Sequence, residues 1–415
     1  MLISERSNVV ASRRATSLSY AIAGVAAIIL IAYLSVWGQR YGLDLKVYRS
    51  SVSSWRSGQN PYPLTFTQRH LSFTYPPFAL LALSPLSWAS FPVTQWLLWA
   101  ASLAAATGSI VLVQRDMGAA VTQSLLCRAF TLSCVAFIII EPARSAIDYG
   151  QVELILMFIV VADILLASSP YRGIAIGLAA AVKLTPLSFF IVLGVSRDVK
   201  SVIRATASFL LWTGLSWLFW PRASRTYWLR DVGDVSRIGN VSYAGNQCLY
   251  AILHRPPFPA GGSELAWLLL SLVTLAASTF IAWRCVSAGQ KAPAILATAL
   301  VGLLISPVSW SHHWVWVLLI PALMPLHHSS EIRQSVRIML WVLFALTIAA
   351  PYWWFSHGIS ADISEAVLPV WASAVLLVWG ATEFVTWSRW RGLHHHRFGS
   401  FPHRSETGQR ASLDS

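Results

Sequence analysis

Residues 17–37 read SLSYAIAGVAAIILIAYLSVW, a run of 21 residues without one charged side chain. Crossing the ~30 Å hydrocarbon core of a bilayer at ~1.5 Å per residue takes about 20 residues of helix. A helix is the one single-segment structure that satisfies its own backbone there. The run therefore reads as a transmembrane helix. Arg6, Arg13 and Arg14 precede it, as in a signal peptide, but the run exceeds a typical signal core and lacks a small-residue cleavage site. An uncleaved first span with its N-terminus inside is the expectation. Outward from it, further apolar runs recur at about 93–114, 126–140, 152–168, 203–220, 264–285, 293–309, 313–327, 335–355 and 366–388.

Composition agrees. Of 415 residues, 56% are hydrophobic and 11% charged, against about 25% charged in soluble domains. The fold class predicted is an all-α polytopic membrane protein with about 10–13 transmembrane helices. The alternating short segments of a β-barrel are not evident. A formal charge of +13 fits basic cytoplasmic loops and anionic lipid better than nucleic acid. Cys127, Cys134, Cys248 and Cys285 have no metal-type spacing and read as small buried hydrophobes. Residues 1–388 form one integral membrane domain, and 389–415 a basic cytoplasmic tail expected to be disordered.

Two interruptions stand out. Residues 76–91 carry Pro76, Pro77 and Pro85 and are short for a crossing, as in a re-entrant or interfacial hairpin. Residues 172–196 carry Lys183 and Pro186 near the middle, which predicts two short helices broken at KLTP. Placing the short basic loops inside sends five polar segments to one outer face: Asp44, Glu141–Gln151, Lys183, the 221–263 loop and Ser306–His313. A multi-pass membrane protein with cytoplasmic termini and one shared outer site follows from that layout.

Each segment has a chemical reading and a plain one. The long first outer loop, Tyr41–Tyr75, holds Asp44 among Tyr and Trp side chains; it is either a site carboxylate or a loop at headgroup level. EPARSAIDYGQVE packs Glu141, Arg144, Asp148, Gln151 and Glu153 at the entry to an apolar helix, where Arg144 and Asp148 could simply pair at i,i+4. Lys183 in AVKLTP could neutralise a phosphate or snorkel to the interface. SPVSWSHHWVW offers His312 and His313 for proton transfer, or an aromatic belt around Trp310, Trp314 and Trp316. No metal-ligand spacing is spelled in it. The 221–263 loop brings Arg222, Arg225, Arg230, Arg237 and Arg255, with Asn246 and Gln247, to anionic headgroups or phosphate.

DLKVY, FTYPPF, EPARSAIDYGQVE, AVKLTP, GNQ and SPVSWSHHWVW occur in that order over about residues 40–320. Together they resemble the polyprenol-phosphate-mannose-dependent α-1,2-mannosyltransferases of actinobacteria, of the type that elongates phosphatidylinositol mannosides, in the GT-C superfamily. The resemblance implies a GT-C fold, an outer-face site, a polyprenyl-phosphate-mannose donor, a mannosylated glycolipid acceptor and no cofactor or metal. It makes Asp44 the catalytic base of an inverting displacement, with His312 and His313 beside it. Tyr48, Tyr75, Arg144, Asp148, Gln151, Lys183, Asn246, Gln247 and Trp310 are then the expected substrate-binding residues. Two alternatives remain open: an arabinofuranosyltransferase with a polyprenyl-phosphate-arabinose donor, and a lipid or sugar transporter, although no internal repeat is found.

Overall fold

The computed structural model describes residues 2–36, 42–168, 170–256, 263–324 and 332–398. It is helical almost throughout. Among the described residues the only sheet is a two-stranded hairpin in which Thr65 pairs with Ser72 and Phe66 with Leu71. Six helices are long and apolar enough to cross a bilayer: Thr16–Val36, Phe91–Asp116, Val199–Phe219, Ser263–Ser287, Gln334–Trp353 and Ile359–Arg389. A seventh crossing arises if Gln123–Ile139 and Glu141–Tyr149, which meet at a 78° bend, are taken as one. The protein is thus a polytopic membrane protein. Several other expected spans are shorter helices inside the bundle, such as Glu153–Leu165 and Lys291–Ile305. At 15 residues the second is about 22 Å long, short of the hydrocarbon thickness, and nearly all of its side chains are buried.

The surface matches a lipid solvent. Ile28, Leu218 and Leu265 are each more than 60% exposed on the long helices, an arrangement that water would oppose and hydrocarbon does not. The last helix runs from Ile359 to Phe398, past the residue at which a tail was expected. Residues 399–415 lie outside the described residues. All four cysteines are buried, and none forms a disulfide among the described residues.

The expected first outer loop is built differently. Residues Leu43–Arg56 form an amphipathic helix whose buried face is Leu45, Val47, Tyr48, Ser51 and Val52, a period near 3.6 that half-buries it. These side chains seed a second hydrophobic core with Tyr62, Phe73, Tyr75, Phe78, Val152, Val182 and Tyr227. It is separate from the larger core around Phe137, Trp314, Tyr352 and Trp379. The prolines of 76–91 produce a helix Phe78–Ala82 and a 3-10 turn Ser84–Ser87. Arg49 clamps the amphipathic helix over that turn, donating to Leu86 O and, at 2.8 Å, to Thr94 Oγ1.

The break at KLTP is present. Helix Ile174–Val182 ends at Lys183, whose backbone is extended (φ −148°, ψ 134°), and a 3-10 turn Thr185–Phe189 resumes beyond it. Several charged residues at helix ends serve as caps. Asp163 accepts from Gly173 N at 2.7 Å and Ile176 N at 2.8 Å, and Asp116 accepts from Lys291 N and Ala292 N. Such carboxylates answer the unpaired N–H groups of a helix start and need no chemical role.

Candidate active site

The site begins at a glycine. In DYGQV the helix Glu141–Tyr149 stops at Gly150, which takes φ +75°, ψ 45° as the left-handed C-cap. Gln151 N then reaches back to Ala146 O at 2.8 Å. A Cβ on Gly150 would lie 2.7 Å from Leu45 Cβ, so glycine lets the Leu43–Arg56 helix seat directly on the turn. Gly42, also left-handed (φ +61°), ties the two by donating to Asp148 O at 2.6 Å. This docking brings Asp44, in the first turn of its helix, to Gln151.

A continuous chain of hydrogen bonds follows. Gln151 Nε2 donates to Asp44 Oδ2 at 2.5 Å. Gln151 Oε1 accepts from Tyr48 OH at 2.6 Å and Tyr75 OH at 3.0 Å, and the two hydroxyls are 2.9 Å apart. Lys183 Nζ donates to Tyr75 OH at 3.1 Å, stands 3.1 Å from His313 Nε2 and pairs with Glu153 Oε1. Its ammonium also lies 4.9 Å from the Tyr75 ring centroid. His313 Nε2 is 3.5 Å from Glu153 Oε1. The rings of His312 and His313 meet edge to face at 4.8 Å, and His312 meets Tyr149 in the same way at 5.4 Å. Asp44 and the histidine pair therefore belong to one cluster.

Two features bear on chemistry. Burial pushes the Asp44 carboxyl up to about 7, with the Gln151 hydrogen bond and Lys183 pulling it down and Glu153 pushing it up. A carboxyl near 7 exchanges protons at neutral pH. Meanwhile Glu153 Oε2, both ring nitrogens of His312 and Nδ1 of His313 are buried with no hydrogen-bond partner among the described residues. Buried polar atoms normally find partners, so this concentration leaves unused hydrogen-bonding capacity beside Lys183 and Asp44.

Glu153, His312 and His313 offer ligand atoms within 4.8 Å of one another, as a metal site would. The Lys183 ammonium, however, already contacts both Glu153 and His313. A fixed cation stands among these donors in the form of a side chain, and a metal beside it would meet like-charge repulsion.

The other expected residues fall into two groups. Asn246 is fully buried and spends its amide on the chain itself. Its Nδ2 donates to Val241 O and Pro307 O, and its Oδ1 accepts from Ser309 N at 2.8 Å. Gln247 N donates to Ser309 O, and Trp314 Nε1 donates to Gln247 O. GNQ thus staples the 240–248 loop to the histidine segment. Trp310 lies at this junction, half-buried against Tyr243 at 6.0 Å. Arg144 and Asp148 are both half-buried, and no ion pair forms between them among the described residues. Asp148 Oδ1 is buried without a partner. Of the loop arginines, Arg255 binds Ser242 O, Tyr243 O and Asn246 O and pairs with Glu365 at 2.9 Å. Arg237 pairs with Asp231. Both hold the loop's shape, while Arg222 and Arg225 stay exposed.

Sequence reasoning assigned no role to Glu153, Tyr149 or Glu141. The signal for Glu153 was its place at the head of ELILMFIVVADIL, where an acid facing an apolar bundle demands a cation, and Lys183 is the cation that lies near the middle of an apolar run.

The protein-family model described as Glycosyltransferase family 87 matches residues 73–307. The chain is 30% identical over 315 residues to a protein of Mycobacterium tuberculosis named polyprenol-phosphate-mannose-dependent alpha-(1-2)-phosphatidylinositol mannoside mannosyltransferase, covering 72% of this chain and 73% of the relative. A protein of the same name from Mycolicibacterium smegmatis is 33% identical over 300 residues, covering 67% and 68%. A third relative, from the same species and named for phosphatidylinositol pentamannoside, is 34% identical over 289 residues, covering 69% and 68%. No solved structure matches. With a family match over more than half of its length and a helical, multi-pass fold, the chain belongs to Glycosyltransferase family 87 and is a membrane glycosyltransferase.

Proposed function

We propose that this protein transfers mannose from polyprenol-phosphate-mannose to a phosphatidylinositol mannoside, forming an α-1,2 linkage by a single inverting displacement at the outer face of the plasma membrane. Donor and acceptor are the ones named for the relatives at 30–34% identity. Asp44 is the base. It takes the proton from an acceptor hydroxyl as that oxygen attacks the anomeric carbon, and the C–O bond to the polyprenyl phosphate breaks with its electrons leaving on the phosphate. An α product from a β-linked donor needs one inversion and no covalent enzyme intermediate.

The observation that carries this reading is the setting of Asp44. Gln151 holds Oδ2, while Oδ1 has no hydrogen bond among the described residues and is available to the acceptor. Its carboxyl at about 7 is poised for proton transfer near neutrality. The cluster of Lys183, His312 and His313 supplies positive charge and hydrogen-bond capacity for the departing phosphate, a form of preorganised stabilisation.

Purified protein given labelled polyprenol-phosphate-mannose and a phosphatidylinositol mannoside should form product in detergent, with no second compartment. Asp44→Asn should lower turnover by about 10²–10⁴-fold while donor binding persists. Near-normal turnover in that variant would remove Asp44 as the base. Product from polyprenol-phosphate-arabinose alone would replace mannose as the transferred sugar.

A further inference from the structure

Glu141 heads the helix that ends in DYG, immediately after the 78° bend. Its side chain is 1% exposed. Among the described residues no Lys, Arg or His side chain comes within ion-pair distance of it, so an isolated carboxylate is held inside the protein by neutral donors. Oε1 accepts from Ser145 Oγ at 2.6 Å, Ser311 Oγ at 2.9 Å and Trp353 Nε1 at 3.3 Å, and Oε2 accepts from Tyr352 OH at 2.5 Å. The donors come from three separate segments: its own helix, the histidine segment, and the turn Pro351–Trp353 between the last two long helices.

The donor set has a chemical logic. A carboxylate is acceptor-only and has room for four donors. Burying it is costly unless each of its oxygens is hydrogen-bonded, and beyond the local bond from Ser145 the other three come from groups far away in the chain. Tyr352 is 211 residues from Glu141 and Ser311 is 170. Ser311 directly precedes His312, and its backbone N–H is also fixed by Gly245 O at 2.8 Å. The two histidine rings carry three unpartnered buried nitrogens, so no hydrogen bond to its ring orients His312, which meets Tyr149 and His313 edge to face. Its backbone is held through the segment at residue 311.

We propose that Glu141 is a positioning residue for the transfer reaction, locking the histidine pair in register with Lys183 and Asp44 by gripping Ser311 and, through Tyr352 and Trp353, the C-terminal helices. This deepens the function proposed above and rests on it for the part that concerns turnover. Glu141→Gln keeps shape, but Trp353 Nε1 can only donate, so the amide oxygen must stay on Ser145, Ser311 and Trp353 and an NH₂ replaces the acceptor of the Tyr352 hydroxyl; that bond is reversed and all four lose their charge assistance.

The test uses the full-length protein in detergent, with three readouts on wild type, Glu141→Gln, His312→Ala and the double variant. Glu141→Gln should lower kcat by about 10-fold to 100-fold, as misplacement near 1 Å does, with the donor KM and the unfolding temperature close to wild type. In the His312→Ala background the same change should cost less than about two-fold, since both variants act on one element. Carbethoxylation of His312 by diethyl pyrocarbonate, followed by peptide mass spectrometry, should quicken several-fold in Glu141→Gln. Unchanged kcat, unchanged carbethoxylation, or an equal loss in both backgrounds would each overturn the proposal. Where Glu141→Gln does not fold, Tyr352→Phe removes one donor and keeps the carboxylate; it should show the same non-additivity at smaller size, and additivity there overturns it too. A wild type inactive with polyprenol-phosphate-mannose would sink the proposed function, while carbethoxylation would still decide Glu141.

Discussion

Asp44 and Lys183 are the two residues whose reading the structure altered most. Asp44 binds a proton up to about pH 7 in the folded protein, so it is ready to act as a base only above that value. The expected profile of kcat/KM rises with pH below about 7 and levels above it, and Asp44→Asn should flatten that limb. The same shift has an opposite sign for stability. The folded state holds the proton longer than the unfolded chain, so stability is lost as pH rises from the ordinary carboxylate range through about 7. Asp44→Asn should therefore unfold at a higher temperature than wild type at pH 8, and an equal or lower temperature would contradict the buried-acid account. Lys183 was legible as a suspicious charge, but its partners were not. Removing the ammonium in Lys183→Met leaves Glu153 buried and unpaired, a change that costs about 3–5 kcal/mol. Adding Glu153→Leu should restore much of that loss of stability without restoring transfer, as read by thermal unfolding alongside product formation.

Among the elements, the broken helix at KLTP and the proline-rich 76–91 segment were readable because proline lacks an N–H and acts locally. The helix Leu43–Arg56 was instead expected as a loop. RSSVSSWRSG hides its apolar face among serines, and Leu45, Tyr48 and Val52 form a buried stripe only because a second core receives them. What seats this helix is the close approach at Gly150. Gly150→Ala combines a strained positive φ with a Cβ 2.7 Å from Leu45 Cβ, each a penalty of about 1–3 kcal/mol. It should push the Asp44 helix off the DYGQ turn and lower kcat by more than its loss of stability accounts for. Equal kcat per folded molecule would mean that the turn does not set the position of Asp44.

Across the bundle, the exposed apolar side chains and the six long helices make a lipid environment part of the fold. The side of the membrane on which Asp44 lies can be read directly, because the four native cysteines are buried and give little background. Ser57 and Lys200 are both exposed. A cysteine at Ser57 should react with an impermeant maleimide in intact cells, and one at Lys200 only after permeabilisation. The reverse pattern would put the site on the cytoplasmic face. The sequence alone determined that the chain is a helical membrane protein, where two of its segments break, and which polar residues are anomalous, since hydrophobic length and proline chemistry act within a few residues of the chain. Only the tertiary structure decided that Asp44 meets Gln151 across 107 residues, that Lys183 joins Glu153 and His313, and that Glu141 grips Ser311 and Tyr352. A buried polar group must find a partner, but many candidates satisfy that demand in sequence, and packing selects one by bringing distant segments within about 3 Å.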